Sequence, residues 1–201
     1  SLPITRGVPQ GSVIGPILFI LFTNDLPKYL HEYGQTMMYA DDTALLVTEK
    51  QTNRLEISSF VTFNMAKQYC HQNYLILNEN KTQQLNFRNR TAELPGLPDL
   101  ELKSEAKYLG VTIDNKLTWT SHVDQLCGKL NTSLYALKRT KSSSDLETAK
   151  IAYYSLFESH IRYGLIVWGN LSARNVQRIL VLQKKAVRTL LGLNPYDTCR
   201  G

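Results

Sequence analysis

Two adjacent carboxylates interrupt an apolar run in the segment "QTMMYADDTALLV", residues 35–47, and they are the side chains here best suited to chemistry. Carboxylates held about 4 Å apart repel by roughly 4 kcal/mol at an effective dielectric near 20. A divalent cation offsets that repulsion. Magnesium suits the pair best, because it takes oxygen ligands, uses one or two protein carboxylates and leaves room for phosphates. Backbone geometry limits how both acids reach one ion. On a regular strand neighbouring side chains point to opposite faces, which would drive Asp41 or Asp42 into the core. A hairpin tip removes the conflict, since aspartate suits turns and a tip is open to solvent. The plainer reading of such a pair is a turn with no further role.

The runs flanking the acids, "TMMYA" and "TALLV", are short enough for the two strands of a hairpin. Upstream, "TRGVPQGSVIGPILFILFTNDLP" opens as a Gly/Pro-shaped loop and continues as a helix, with Pro16 in its first turn where a missing N–H is harmless. Leu26-Pro27 is expected to stop that helix. Val13, Ile17 and Leu21 form one stripe and Ile14, Leu18 and Phe22 another, predicting burial around most of the circumference. Residues 51–70 read as an amphipathic helix, "YLILN" and "QQLNF" as strands, "RNRTAELPGLPDL" as an exposed connection and "KYLGVTI" as renewed strand.

Beyond about residue 118 the pattern turns helical. Val123, Leu126, Cys127, Leu130, Leu134 and Leu137 keep helical spacing behind a cap at Thr120 or Ser121. Ser144 and Glu147 form a capping-box pattern opening a helix that buries Leu146, Ala149, Tyr153, Leu156 and Phe157. Ser172 caps a third helix, with Val176, Ile179, Leu180, Val187, Leu190 and Leu191 inward and Gly192 as the stop. Its outer face carries Arg174, Arg178, Lys184, Lys185 and Arg188. The fold class predicted is α+β, mixed over residues 1–118 and helical over 119–201.

Composition narrows the classes. With 43% hydrophobic and 20% charged residues, the chain is ordinary for a globular protein. Its longest apolar stretch, "VIGPILFILF", is about half the length of a membrane span, so no membrane association is expected. Cys70, Cys127 and Cys199 are far apart and odd in number, which favours reduced thiols and an intracellular setting. No CxxC or HxxxH spacing supports zinc, and His31, His71, His122 and His160 read as structural or surface groups. Residues 1–120 carry 11 Lys/Arg against 12 Asp/Glu, whereas residues 121–201 carry 12 against 5, which points the second part toward a polyanion.

These residues also carry a resemblance. "YADD" between short strands resembles the catalytic hairpin of reverse transcriptases, and "GVPQGSVIGPILF", about 25 residues upstream, resembles the loop-helix block that precedes it there. "YLILNENKT" is similar to the family's lysine block, with Lys81 at the matching position. "KYLGVTID" resembles the primer-grip hairpin through Tyr108, Leu109 and Gly110. "LTWTSHVDQL" and "RYGLIVWGN…VQRILVLQKKAVRTLLG" resemble the thumb of non-LTR retrotransposon enzymes of the jockey-like kind. Tyr69 stands where those relatives carry tryptophan, a difference expected to matter only for packing.

The resemblance implies a partial polymerase palm over residues 1–118, with helices on one face of a hairpin sheet, and a basic helical thumb over 119–201. It implies template-directed nucleotidyl transfer with two Mg2+ ions, for which Mn2+ could substitute, acting on an RNA template, a DNA primer and deoxynucleoside triphosphates. Asp41 would be the principal metal ligand and Asp42 a weaker one, or a turn-stabilising acid. Pro9, Gln10 and Gly11 would line the nucleotide and template track, or simply lead into the helix. Tyr39 would lie beside the primer end, or in the core, and Lys81 would protonate the leaving pyrophosphate, or sit idle on the surface. The five cations of the last helix would hold phosphates without reading sequence, or be solvated.

In the family a further metal-bridging aspartate precedes the "GVPQGS" block, which begins six residues into this chain. The expectation is therefore that the 201-residue piece is catalytically inert by itself. Its competitors are a non-catalytic nucleic-acid-binding remnant, a decayed protein with neither activity, and a group II intron maturase, which fits the second half less well.

Overall fold

The computed structural model describes residues 11–87, 96–98 and 100–194. The chain divides into two compact units, residues 1–103 and 104–201. In the first, α1 (Gly15–Phe22) and the single turn α2 (Leu26–Tyr29) lead into β1 (Gln35–Tyr39) and β2 (Asp42–Leu46). Then come α3 (Thr52–Gln72), a 3-10 turn (Glu79–Lys81), β3 (Gln83–Leu85) and β4 (Glu101–Lys103). β1 and β2 pair antiparallel, whereas β3 and β4 form a short parallel pair, so the strands make separate two-stranded sheets.

Leu26, Leu30 and Tyr69 make the core of this unit, with Met38, Leu45, Met65 and Ala66 packed against them. Helices thus cover one face of the hairpin, as expected. The Tyr69 ring stands 5.4 Å from that of Tyr29. Its hydroxyl also donates to Asp25, and burial together with that carboxylate pushes the phenol pKa well up. Tyr69 therefore ties α3 to the start of α2 as well as packing, which corrects the packing-only expectation.

Four other expectations fail here, one of them in part. Pro27 does not follow the end of α1, which stops at Phe22; it sits in the first turn of α2, where its missing N–H costs nothing. α1 is not buried around its circumference: Ile17, Leu18, Leu21 and Phe22 are all exposed, and Gly15 is its one buried residue. "YLILN" is no strand: Tyr74 turns the chain at φ +55°, Ile76 is 97% exposed, and no strand among the described residues pairs with the segment. Of "RNRTAELPGLPDL", residues 88–95 and 99 lie outside the described residues, while Leu97 is buried rather than exposed.

The second unit begins with the antiparallel hairpin β5 (Glu105–Tyr108) and β6 (Val111–Asp114). α4 (Thr120–Ser143), α5 (Leu146–Ala152), a π-helical segment (Tyr153–Glu158), α6 (Ser159–Arg162), α7 (Leu165–Trp168) and α8 (Ala173–Leu191) follow. Texture changes near residue 118, but compactness divides at 103/104, because Val111 joins the same core as Val123, Leu130, Phe157, Trp168 and Ile179.

α4 has no side-chain cap at Thr120 or Ser121, and the residue before it, Trp119, is left-handed. Asp114 organises this entry instead, accepting from the N–H groups of Lys116, Thr118 and Trp119 at 3.1, 3.0 and 2.7 Å. Burial raises the Asp114 pKa, but these bonds and the Thr118 hydroxyl outweigh it and hold the carboxyl below its usual range. At α5 the cap is Asp145, which accepts from the Thr148 N–H at 2.8 Å, so Ser144 is displaced from that role. Ser172 and Gly192 bound α8 as expected. Cys70 and Cys127 are free thiols. Among the described residues no helix is long and apolar enough to cross a membrane.

Candidate functional site

Pairing in the first hairpin runs from Gln35 opposite Leu46 to Tyr39 opposite Asp42. That leaves Ala40 and Asp41 as a two-residue turn. Asp41 is therefore at the tip, and Asp42 is the first residue of β2. Both are exposed. Ala40 bends the chain at φ +53°, a left-handed conformation that costs an L-residue about 1–2 kcal/mol. Strain of this kind, held by the surrounding strands, is common at functional turns.

Cross-strand partners share a face. Thr36, Met38, Thr43 and Leu45 are therefore on one side of the ribbon, and Tyr39, Asp42, Met37 and Ala44 on the other. Met38 and Leu45 pack on the core, so the Tyr39–Asp42 face looks outward. Tyr39 is 67% exposed, which rules out a core role and places its ring beside Asp42 at the tip. An open depression of about 500 Å3 lies at the other end of the hairpin, lined by Thr48, Glu49, Lys50, Gln51 and Arg54.

The tip carboxylates fit a hard divalent cation: two oxygen donors, exposed, with room for water or phosphate oxygens. Among the described residues they gather no third acid, cysteine or histidine. Lys81 is exposed at the end of its 3-10 turn, whose start is capped by the Asn78 side chain. Gly11 is exposed at φ +83°; Pro9 and Gln10 lie outside the described residues.

In the second unit Tyr108 pairs with Val111, leaving Leu109 and Gly110 as the tip of β5–β6. Both are left-handed, at φ +46° and +79°. This is the pattern of a type I′ turn, which favours Asn, Asp or Gly at its first position. Leucine there carries the 1–2 kcal/mol penalty, at about that size, without a side chain able to bond its own backbone. A small cleft of about 50 Å3 lies beside the tip, lined by Gly110, His122, Lys129, His160 and Tyr163.

His122 is 8% exposed. Its Nδ1 accepts from the Thr112 N–H at 3.3 Å, which leaves the ring proton on Nε2. Its ring lies 5.2 Å from that of Trp168. Burial first, and Lys129 second, hold its pKa below the ordinary histidine value. Between that lowered value and about 6.5 the unfolded chain binds more protons than the folded one, so stability rises with pH. Unfolding free energy should therefore fall as pH drops from 7 toward 5, and His122→Phe should flatten that slope in urea titrations followed by tryptophan fluorescence. Asp114 adds a further loss at lower pH: its carboxyl is held below the ordinary range in the fold, so the unfolded chain takes up the proton first, from the usual aspartate value of about 3.9 downward.

On α8, Arg174, Lys184 and Lys185 are exposed. Arg178 is instead bound to Asp124 and reaches Asn175 at 3.3 Å, so its charge is already matched. Arg188 is half-buried. Sequence reasoning passed over Asp114 and Tyr163. "DNKLT", an acid in a turn before a helix, carried a signal for the first; the second forms a contact across 54 residues that no local pattern marks.

The family model described as reverse transcriptase (RNA-dependent DNA polymerase) matches residues 1–113. The RNA-directed DNA polymerase from mobile element jockey of Drosophila melanogaster is 30% identical over 98% of this chain and 23% of its own length. The probable RNA-directed DNA polymerase from transposon BS of the same species is 32% identical over 94% of this chain and 23% of its own. That from transposon X-element is 26% identical over 94% and 22%. This chain thus spans about a quarter of the length of the curated relatives it matches. No solved structure matches it. Reverse transcriptases generally use divalent metals such as Mg2+. An aspartate pair on a strained two-residue hairpin, the matching family model and the retrotransposon relatives agree: the chain belongs to the reverse transcriptase family of non-LTR retrotransposons.

Proposed function

We propose that this chain is the part of an RNA-directed DNA polymerase that carries the catalytic hairpin and grips the primer–template. Residues 1–118 would act as part of the palm and residues 119–201 as the thumb, with the β5–β6 hairpin moving with the helices it packs on. The single observation that carries this is Asp41 at the exposed tip of a two-residue turn, with Asp42 and Tyr39 beside it on the outer face.

Asp41 is read as the principal metal ligand and Asp42 as the secondary one. Two Mg2+ ions, when bound, would activate the primer 3′-hydroxyl and hold the triphosphate. Tyr39 would pack against the primer end, Gln10 and Gly11 would line the nucleotide and template path, and Lys81 would give a proton to the leaving pyrophosphate. The strained backbone at Ala40 supports a tip held in one shape before substrate arrives. The substrates would be an RNA template, a DNA primer and deoxynucleoside triphosphates.

Two-metal transfer uses carboxylates that bridge both ions. Since no third acid joins the tip among the described residues, the 201-residue polypeptide is expected to bind duplex without extending it. This also favours a second reading, a binding remnant. A primer–template titrated at two salt concentrations should bind with strong salt dependence, and primer extension with Mg2+ should be absent. Paramagnetic resonance with Mn2+ should show weak binding that falls about tenfold or more in Asp41→Ala. Robust extension by this chain overturns the inertness. Failure to bind duplex at low salt overturns the nucleic-acid reading, and Mn2+ binding unchanged by Asp41→Ala overturns the metal role.

A further inference from the structure

The tip of β5–β6 adopts a turn that its leucine disfavours, and the side chain of a residue far along the chain bonds to it. Leu109 and Gly110 are both left-handed. Such strain persists where the surroundings over-determine it. The hydroxyl of Tyr163, in the junction between α6 and α7, donates to the Leu109 carbonyl at 2.6 Å. The same ring closes over Gly110, where an added Cβ would lie 3.3 Å from its Cε1.

Tyr163 is itself fixed from behind. Gly164, at φ +64°, turns the chain sharply between the two short helices, and a Cβ there would meet Val111 Cγ2 at 3.2 Å. The Trp168 indole, 1% exposed, donates to the Tyr163 carbonyl at 2.7 Å. Yet the Tyr163 side chain is 57% exposed, so its ring contributes little to the core. What the side chain does in this fold is hold the tip.

We propose that Tyr163 is a positioning residue for the primer end: its hydroxyl holds the Tyr108–Gly110 turn in the shape that meets the 3′ terminus. The inference rests on the reading of this turn as the primer grip. It goes further by assigning the tip's shape to one hydrogen bond from the α6–α7 junction. The role belongs to Tyr163 alone among its neighbours, because Trp168 and His122 are buried and serve the core as well.

The experiment compares two DNA–RNA duplexes of equal length and charge, one with a recessed primer 3′ end and one with the opposite overhang. The wild-type chain is expected to prefer the recessed 3′ end. Tyr163→Phe removes one oxygen from an exposed ring, so the melting temperature should stay near that of the wild type. Binding of the recessed duplex should weaken about fivefold while binding of the other is unchanged, and amide hydrogen exchange should quicken at residues 108–111. If Tyr163→Phe keeps the full preference, the positioning role is wrong although the primer-grip reading survives. Equal weakening on both duplexes also overturns it, since a general contact or loss of fold would do that. A wild-type chain that binds both alike overturns the primer-grip reading, and this inference with it.

Discussion

Trp168→Ala is expected to destabilise the unit of residues 104–201 by about 4 kcal/mol, the range measured for emptying a large aromatic site. Trp168 is 1% exposed and heads the largest fully buried side chains. It packs on the His122 ring and bonds the Tyr163 carbonyl, so its removal opens a cavity and leaves a backbone acceptor unpaired. Small domains are stable by only about 5–15 kcal/mol, so a loss of that size leaves a visible unfolded fraction at moderate denaturant. The chain has two tryptophans, and the other, Trp119, lies in the same core. Urea unfolding of Trp168→Ala can thus be followed by Trp119 fluorescence. Trp168→Phe keeps most of the volume and should lose only about 1–2 kcal/mol with the indole bond. A midpoint for Trp168→Ala close to that of the wild type would mean that this core is not organised around the indole.

What the sequence made legible follows a physical line. The Asp41 hairpin could be read because two short apolar runs flank residues that a strand interior does not tolerate, and the pairing from Gln35–Leu46 to Tyr39–Asp42 needs no distant partner. α8 was legible for the same reason: its cap, stop and buried Ile179 and Leu190 are local and periodic. Its inward stripe still shifted, to Asn175, Ile179, Leu182, Ala186 and Leu190, leaving Val176, Leu180 and Leu191 exposed.

The helical path after Asp145 shows where periodicity misleads. Ala149, Tyr153 and Phe157 are buried at four-residue steps, a spacing that drifts around an α-helix. The π-helical turn from Tyr153 widens the helix and cancels that drift, which also turns Leu156 outward to 44% exposure. Nothing in "YYSLFE" announces a wider turn. Likewise "YLILN" has strand composition but pairs with no strand among the described residues, and composition alone does not supply one. The site followed the same rule. The place of Asp41 on a hairpin was readable from local pattern and Tyr39 was named through the family resemblance, whereas the contacts of the second hairpin, His122 on Thr112 and Tyr163 on Leu109, are tertiary.

Neutralising three cations on α8 should produce the largest functional change. Arg174 and Lys185 are eleven residues apart, close to three full turns, so they share a face along about 16 Å of helix, and Lys184 flanks it. The opposite side is committed to the core through Ile179, Leu182, Ala186 and Leu190. Arg174→Ala/Lys184→Ala/Lys185→Ala therefore removes charge without touching packing. If each cation meets one phosphate, the slope of log affinity against log salt should fall by about 2–3, and affinity at low salt on the order of a hundredfold. The loss should be the same for any duplex sequence, because phosphate contacts carry no base information. Arg178→Ala/Asp124→Ala removes a matched pair at constant net charge and should leave the slope unchanged. Filter binding or fluorescence anisotropy at four or five salt concentrations reads both variants. A triple variant that retains the wild-type slope would show that α8 is merely a solvated face, and the phosphate track would have to be sought on another surface of the chain.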